Sequence, residues 1–212
     1  MAPDNTAARL VEAAIARAGD SQRFIMALAG PPGVGKSTLS EALVAEFGRH
    51  DQGAAIVPMD GFHYDNAVLE TRGTLARKGA PFTFDADGYA ALLTRLRTEP
   101  DRDIAVPVFD RKLDLARAGA SIVTPVDRFL IAEGNYLLLD SPAWTRMARL
   151  FDLTVMLTAS MDVLSDRLID RWLGFGLKPE EARERALAND IPNAELVIRK
   201  SVKADLEISS GS

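Results

Sequence analysis

With 212 residues, 47% of them hydrophobic and 26% charged, the chain can bury one generous core and carry a small appended lid, as ordinary globular proteins do. A formal net charge of −5 argues against nucleic acid or an anionic membrane surface as the main partner. The absence of cysteine excludes disulfides, thiolate zinc sites and cysteine nucleophiles.

The N-terminal segment carries Asp4 and Glu12 without an uninterrupted apolar stretch, so it does not read as a secretory signal. No apolar run approaches the ~20 residues that a spanning helix requires. A single-domain cytoplasmic enzyme is the expectation, and the sequence leaves a homodimer open.

In chain order, Ala7, Leu10, Ala14 and Ala18 share one face of a helix over residues 6–18, with Thr6 as its N-cap. Phe24–Ala29 is an apolar run of strand length, the pattern of a strand covered on both faces. It leads into Gly30-Pro31-Pro32-Gly33-Val34-Gly35-Lys36-Ser37-Thr38, which fits Gly-x-x-x-x-Gly-Lys-Ser/Thr. Leu39, Leu43 and Phe47 then mark a helix that Gly48 closes. Strand, glycine loop and helix together form a phosphate cradle: backbone amides and the helix N-terminus face the anion, Lys36 reaches the terminal phosphates, and Ser37 ligates magnesium.

Residues 54–59 form a second strand ending at Asp60-Gly61. Residues 61–88 have little periodicity and read as a functional loop or lid. Tyr89, Leu92, Leu93 and Leu96 mark a helix that Pro100 terminates. Residues 104–109 form a strand that contains Pro107, which places it at an edge or outside the main sheet. Residues 129–132 and 153–157 are further buried strands. Ser160 caps a helix over 161–173, and Pro179 opens another reaching about residue 188. Val202, Ala204, Leu206 and Ile208 alternate as a final strand, followed by a frayed tail at 209–212.

Alternating strands and helices imply a three-layer α/β/α fold on a mostly parallel five-stranded sheet, with ligands at the carboxyl ends of the strands. Residues 1–20 form an N-terminal helix, 61–88 an acceptor-binding region and 161–188 the lid helices of that one domain. At the strand ends stand Asp60, suited to take a proton from an acceptor hydroxyl, and Glu133, suited to hold magnesium. Arg167 and Arg171 lie four apart on one helix, a like-charge spacing that phosphates would relieve. Asp166 and Asp170 would relieve it equally well by ordinary surface pairing. Arg77, Lys78, Asp85, Asp110, Arg111 and Asp114 fall in the irregular middle, where an acceptor would be gripped: carboxylates suit hydroxyls, basic groups an anion. His63 lacks zinc partners nearby and reads as a loop or substrate residue rather than a metal ligand.

Five motifs occur in order: Gly30 to Ser37, Met59-Asp60-Gly61-Phe62-His63, Arg77-Lys78-Gly79-Ala80-Pro81 followed by Phe84-Asp85, Pro107-Val108-Phe109-Asp110-Arg111, and Glu133-Gly134-Asn135-Tyr136-Leu137-Leu138. Together they resemble the P-loop small-molecule kinases of the uridine kinase, bacterial pantothenate kinase and phosphoribulokinase superfamily. The resemblance is closest to the subgroup labelled "putative fructose transport system kinase". It runs from about residue 24 to 202. It implies ATP with Mg2+ as phosphoryl donor, Asp60 as catalytic carboxylate, Glu133 near the metal, Arg167 and Arg171 in the lid helix, and Asn189, Asp190 and Asn193 near the nucleotide base. Uridine kinases carry an aromatic and histidine set after the segment matching Pro107 to Asp110, whereas this chain has Arg111-Lys112-Leu113-Asp114. A kinase acting on a small metabolite hydroxyl is the leading reading, and a P-loop ATPase or nucleotide-dependent switch without an acceptor is the alternative. A GTPase is disfavoured, because the chain has no Asn-Lys-x-Asp to read guanine.

Overall fold

A computed structural model of the chain describes residues 3–210, with side chains from Thr6 onward. Helix α1 (Pro3–Ala18) packs on α2 (Lys36–Arg49), which follows strand β1 (Phe24–Ala29) and its glycine loop. Strand β2 (Ala54–Pro58) is followed by a 3-10 turn at Met59–Phe62, the short helix α3 (Asn66–Thr71) and helix α4 (Ala86–Thr98). An antiparallel hairpin, β3 (Ile104–Asp110) and β4 (Leu115–Val123), comes next. Then follow β5 (Phe129–Gly134), α5 (Pro142–Thr145), β6 (Leu153–Thr158), α6 (Met161–Gly174), α7 (Pro179–Arg185), α8 (Ile191–Lys200) and β7 (Leu206–Ser209).

The main sheet has five parallel strands in the order β2-β5-β1-β6-β7. Strand β1 alternates between two cores: Ile25, Ala27 and Ala29 face the layer of α4, α5 and the hairpin, while Phe24, Met26 and Leu28 face α1, α2 and α6. Both faces are covered, which is why the run is apolar without alternation. Phe129 anchors the second layer, stacked on Phe47 with ring centroids 4.3 Å apart and tilted against Phe24 at 5.7 Å. It is buried, so Phe129→Ala is expected to cost about 3–5 kcal/mol of stability. Urea unfolding should show this as a lowered midpoint; an unchanged midpoint would mean that the two rings close over the gap.

Several local expectations change. Thr6 lies inside α1, which already begins at Pro3, and α2 runs past Gly48 to Arg49. The region 61–88 holds α3, whose cap Asp65 accepts a hydrogen bond from the Ala67 amide at 2.9 Å. Its aperiodic pattern hides so short a helix. Strand β3 lies outside the main sheet, one of the two places Pro107 allows, and pairs with β4, whose run Ala116-Arg117-Ala118-Gly119-Ala120-Ser121 carries little hydrophobic signal. The helix from Pro179 widens into a π-helical stretch at Ala186–Asp190 before α8. Pro192 lacks the amide that an α-helical bond to residue 188 would need. The last strand is confined to Leu206–Ser209, and Ser210 is tied down by its amide on the Thr158 carbonyl at 2.7 Å. The rest of the expected tail, 211–212, lies outside the described residues.

Candidate active site

Register alone brings the strand ends together. Glu133 lies opposite Leu28 on one side and Pro58 on the other. Gly30 and Asp60 each follow those partners by two residues, so the glycine loop, Asp60 and Glu133 occupy one edge of three adjacent strands.

The loop is built close to its surroundings. A Cβ on Gly30 would stand 2.7 Å from the Leu157 carbonyl oxygen, and Gly35 has φ +96°, so neither position tolerates a side chain without strain. Helix α2 begins without a side-chain cap and without an acidic residue in its first turn. Its first amides, which have no intrahelical acceptor, therefore remain available to an anion. Lys36 is buried and donates from Nζ to the Pro31 carbonyl at 3.0 Å and to Asn135 Oδ1 at 2.6 Å. Burial pushes its ammonium pKa down, and the charges of Glu133 and Asp60 push it back.

The Ser37 hydroxyl is close enough to Glu133 to favour its ionised form. Burial raises its carboxyl above the usual range; Lys36 opposes this and the neighbouring charge of Asp60 adds to it. The Glu133 carboxylate beside the Ser37 hydroxyl makes a hard-oxygen donor pair, and magnesium fits it. Asp60 sits in the 3-10 turn after β2. Its carbonyl accepts from the His63 amide at 3.2 Å and from His63 Nδ1 at 2.8 Å. Gly61 is more than a turn residue: a Cβ there would lie 2.2 Å from the Pro107 carbonyl oxygen, because β3 crosses directly over the turn.

A cleft of about 820 Å³ extends from Pro32 past Asp60 to the hairpin and the helical segment 171–193. Of the acceptor residues expected from the sequence, His63, Lys78, Arg111 and Asp114 line it. Arg77, Asp85 and Asp110 do not. Asp85 caps α4, accepting from the Gly88 amide at 2.9 Å. Asp110 closes the hairpin turn through the amides of Lys112 and Leu113 and pairs with Arg117 at 3.5 Å. Arg77 donates from Nε to Asn189 Oδ1 at 3.1 Å.

The two arginines of α6 separate. Arg171 lines the cleft and pairs with Asp190 at 2.9 Å. Arg167 is not among the cleft-lining residues and donates to Ser210 Oγ at 3.1 Å, an oxygen that would lie 4.0 Å from a Cβ on Gly35. Asp190 also accepts from the Trp172 indole at 2.6 Å, while Asn189 donates to the Lys78 carbonyl at 2.6 Å. The π-helical turn thus joins α6 to the segment around Lys78. Asn66, Asn135, Trp172, Phe175 and Arg185 also line the cleft and were not singled out from the sequence. Asn135 was within reach, being two residues beyond Glu133 at a strand end; the others carry no local signal.

The family profile described as "Methylmalonyl Co-A mutase-associated GTPase MeaB" matches residues 2–72, which hold α1, the glycine loop and Asp60. A Schizosaccharomyces pombe protein described as "Putative uridine kinase C227.14" is 36% identical over 193 residues, covering 87% of this chain and 82% of its own. A pantothenate kinase of Mycolicibacterium vanbaalenii is 33% identical over 154 residues, covering 72% of this chain and 49% of its own. The crystal structure of a "putative fructose transport system kinase" from Silicibacter sp. TM1040 superposes with a TM-score of 0.91 at 43% identity, covering 95% of this chain and 98% of that one.

Proposed function

We propose that this chain, which belongs to the family of P-loop kinases related to uridine kinase and pantothenate kinase, transfers the terminal phosphoryl group of ATP to a hydroxyl of a small metabolite. The observation that carries this reading is the convergence, on one edge of three strands, of a buried lysine, a serine–glutamate pair and a second carboxylate. Phosphoryl transfer needs little covalent help from a protein and much positioning and charge stabilisation.

In this reading the glycine loop and the first turn of α2 hold the phosphates of ATP, with Lys36 on the terminal ones. Ser37 and Glu133 would hold magnesium, which supplies positive charge at the donor's phosphate oxygens. Asp60 takes the proton of the acceptor hydroxyl. Arg171, held toward the cleft by Asp190, neutralises charge on the transferring group. Arg167, bonded to Ser210 beside the glycine loop, supports the charge balance there from α6. His63 and Arg111 face the acceptor. Among the described residues no helix is long and apolar enough to cross a membrane, and a cytoplasmic setting accords with a metabolite kinase.

The test is ADP release by the purified protein with ATP and magnesium, with and without a panel of sugars, nucleosides, pantothenate and sugar phosphates. Acceptor-dependent release is the expected result. Turnover at the same rate without any acceptor would replace the kinase reading by that of a nucleotide-driven switch.

A further inference from the structure

The cations at the acceptor end of the cleft are already matched. Lys78 Nζ has three donors, and three acceptors take them: Asn66 Oδ1 at 2.6 Å, the Asp114 carbonyl at 2.6 Å and Asp114 Oδ2 at 3.0 Å. Although burial would raise the Asp114 carboxyl, hydrogen bonds from Asn66 and Lys78 hold it below its usual range. Arg111 faces Asp60 Oδ2 at 3.7 Å, so its charge is set against that of the carboxylate beside it. Arg77 is turned onto Asn189 and is not part of the cleft lining. The remaining cleft arginines belong to the lid, Arg171 on Asp190 and Arg185 over the Trp172 ring at 5.2 Å.

Hydrogen-bond acceptors, by contrast, are in surplus. The Asp60 carboxylate is one. His63 supplies another: its Nδ1 lies 2.8 Å from the Asp60 carbonyl oxygen, which can only accept, so the proton of a neutral ring is on Nδ1 and Nε2 is left with a free lone pair. The ring is kept neutral by burial, its pKa lowered against the pull of Asp60, and it packs between Phe84 at 4.0 Å and Phe109 at 4.6 Å. Phe109 itself lines the cleft. An anionic acceptor brought beside Asp60 would find the cations at that end, Lys78 and Arg111, already set against Asp114 and Asp60. A ligand rich in hydroxyl donors, with an apolar carbon face for the aromatic wall, meets what is there.

We infer that the acceptor is an uncharged polyhydroxy compound of the sugar or alditol class, one hydroxyl directed to Asp60 and a neighbouring one to His63 Nε2. This rests on the kinase reading above. In the step itself the acceptor oxygen bonds to the terminal phosphorus, the bond from that phosphorus to the bridging oxygen of ADP breaks, and the acceptor's proton passes to Asp60.

The experiment compares ADP release for D-fructose, D-ribose and D-mannitol with that for D-glycerate, pantothenate and D-fructose 6-phosphate, at low and high salt. At least one neutral compound is expected to exceed every anionic one tenfold or more in kcat/KM, with an acceptor KM that salt does not change. His63→Phe, which keeps the ring stack, should raise that KM tenfold or more with the ATP KM unchanged. His63→Gln, which restores an acceptor oxygen, should recover much of the loss. An anionic compound as the best substrate, no response to any neutral one, or an acceptor KM indifferent to His63→Phe would overturn the inference. Lys36→Met in the same assay separates the two failures: release that needs Lys36 but follows an anionic acceptor leaves the kinase reading standing and removes only the polyol, whereas release that ignores Lys36 removes the kinase reading itself.

Discussion

Asp60→Asn should lower turnover by about two to four orders of magnitude, the range typical for loss of a general base, while nucleotide affinity stays nearly unchanged. The substitution preserves shape. What holds the 3-10 turn in place is the backbone carbonyl of residue 60, which accepts from the amide and ring of His63, and the close crossing of Gly61 under Pro107. Neither depends on the carboxylate. What is lost is the proton acceptor and the partner of Arg111 at 3.7 Å. Steady-state ADP release gives the first quantity and calorimetric titration with ADP and magnesium the second. Loss of nucleotide binding with little change in kcat at saturation would show that Asp60 serves the donor and not the acceptor.

Lys36→Met is expected to reduce both turnover and ATP affinity, the first by about 10²–10³-fold, as removal of one preorganised charge-stabilising group does. The site explains why both should fall. Lys36 is the buried cation that Glu133 and Asp60 share. Without it the two carboxylates face one another with less compensation, and Glu133, already raised by burial, would hold its proton more tightly. The buried Pro31 carbonyl would also lose its donor, at about 1–3 kcal/mol for a buried group left unsatisfied, and the cleft-facing Asn135 Oδ1 would lose its own. Thermal unfolding with and without magnesium-ATP separates these effects. The wild type should gain stability from the ligand and the variant much less. An equal gain in both would place the triphosphate somewhere other than against Lys36.

The parts of this molecule that could be read from sequence are those whose meaning is local. The glycine loop between a buried strand and an amphipathic helix defines a phosphate site within a dozen residues, and the apolar runs 24–29, 129–132 and 153–157 mark strands because both faces of each are covered. From these and the rule that ligands sit at strand ends, Asp60 and Glu133 follow before any coordinates. Strand β4 and helix α8 escaped the reading. One is an exposed hairpin strand with little apolar alternation, and the other begins after a π-helical turn that breaks the 3.6-residue period.

The middle of the chain was decided only by tertiary structure. Six charged residues there had equal standing in the sequence, and their fates depend on partners far away: Arg77 on Asn189, 112 positions on, Lys78 on Asp114, 36 positions on, and Arg111 on Asp60. The same holds for Arg167 and Arg171, one helical turn apart, which diverge because one meets the end of the last strand and the other Asp190. Backbone geometry at a glycine loop is fixed by neighbours in sequence and can be read from them. The direction and partner of a long charged side chain are chosen by whichever opposite charge the fold brings within about 4 Å, and that choice exists only once the chain has closed on itself.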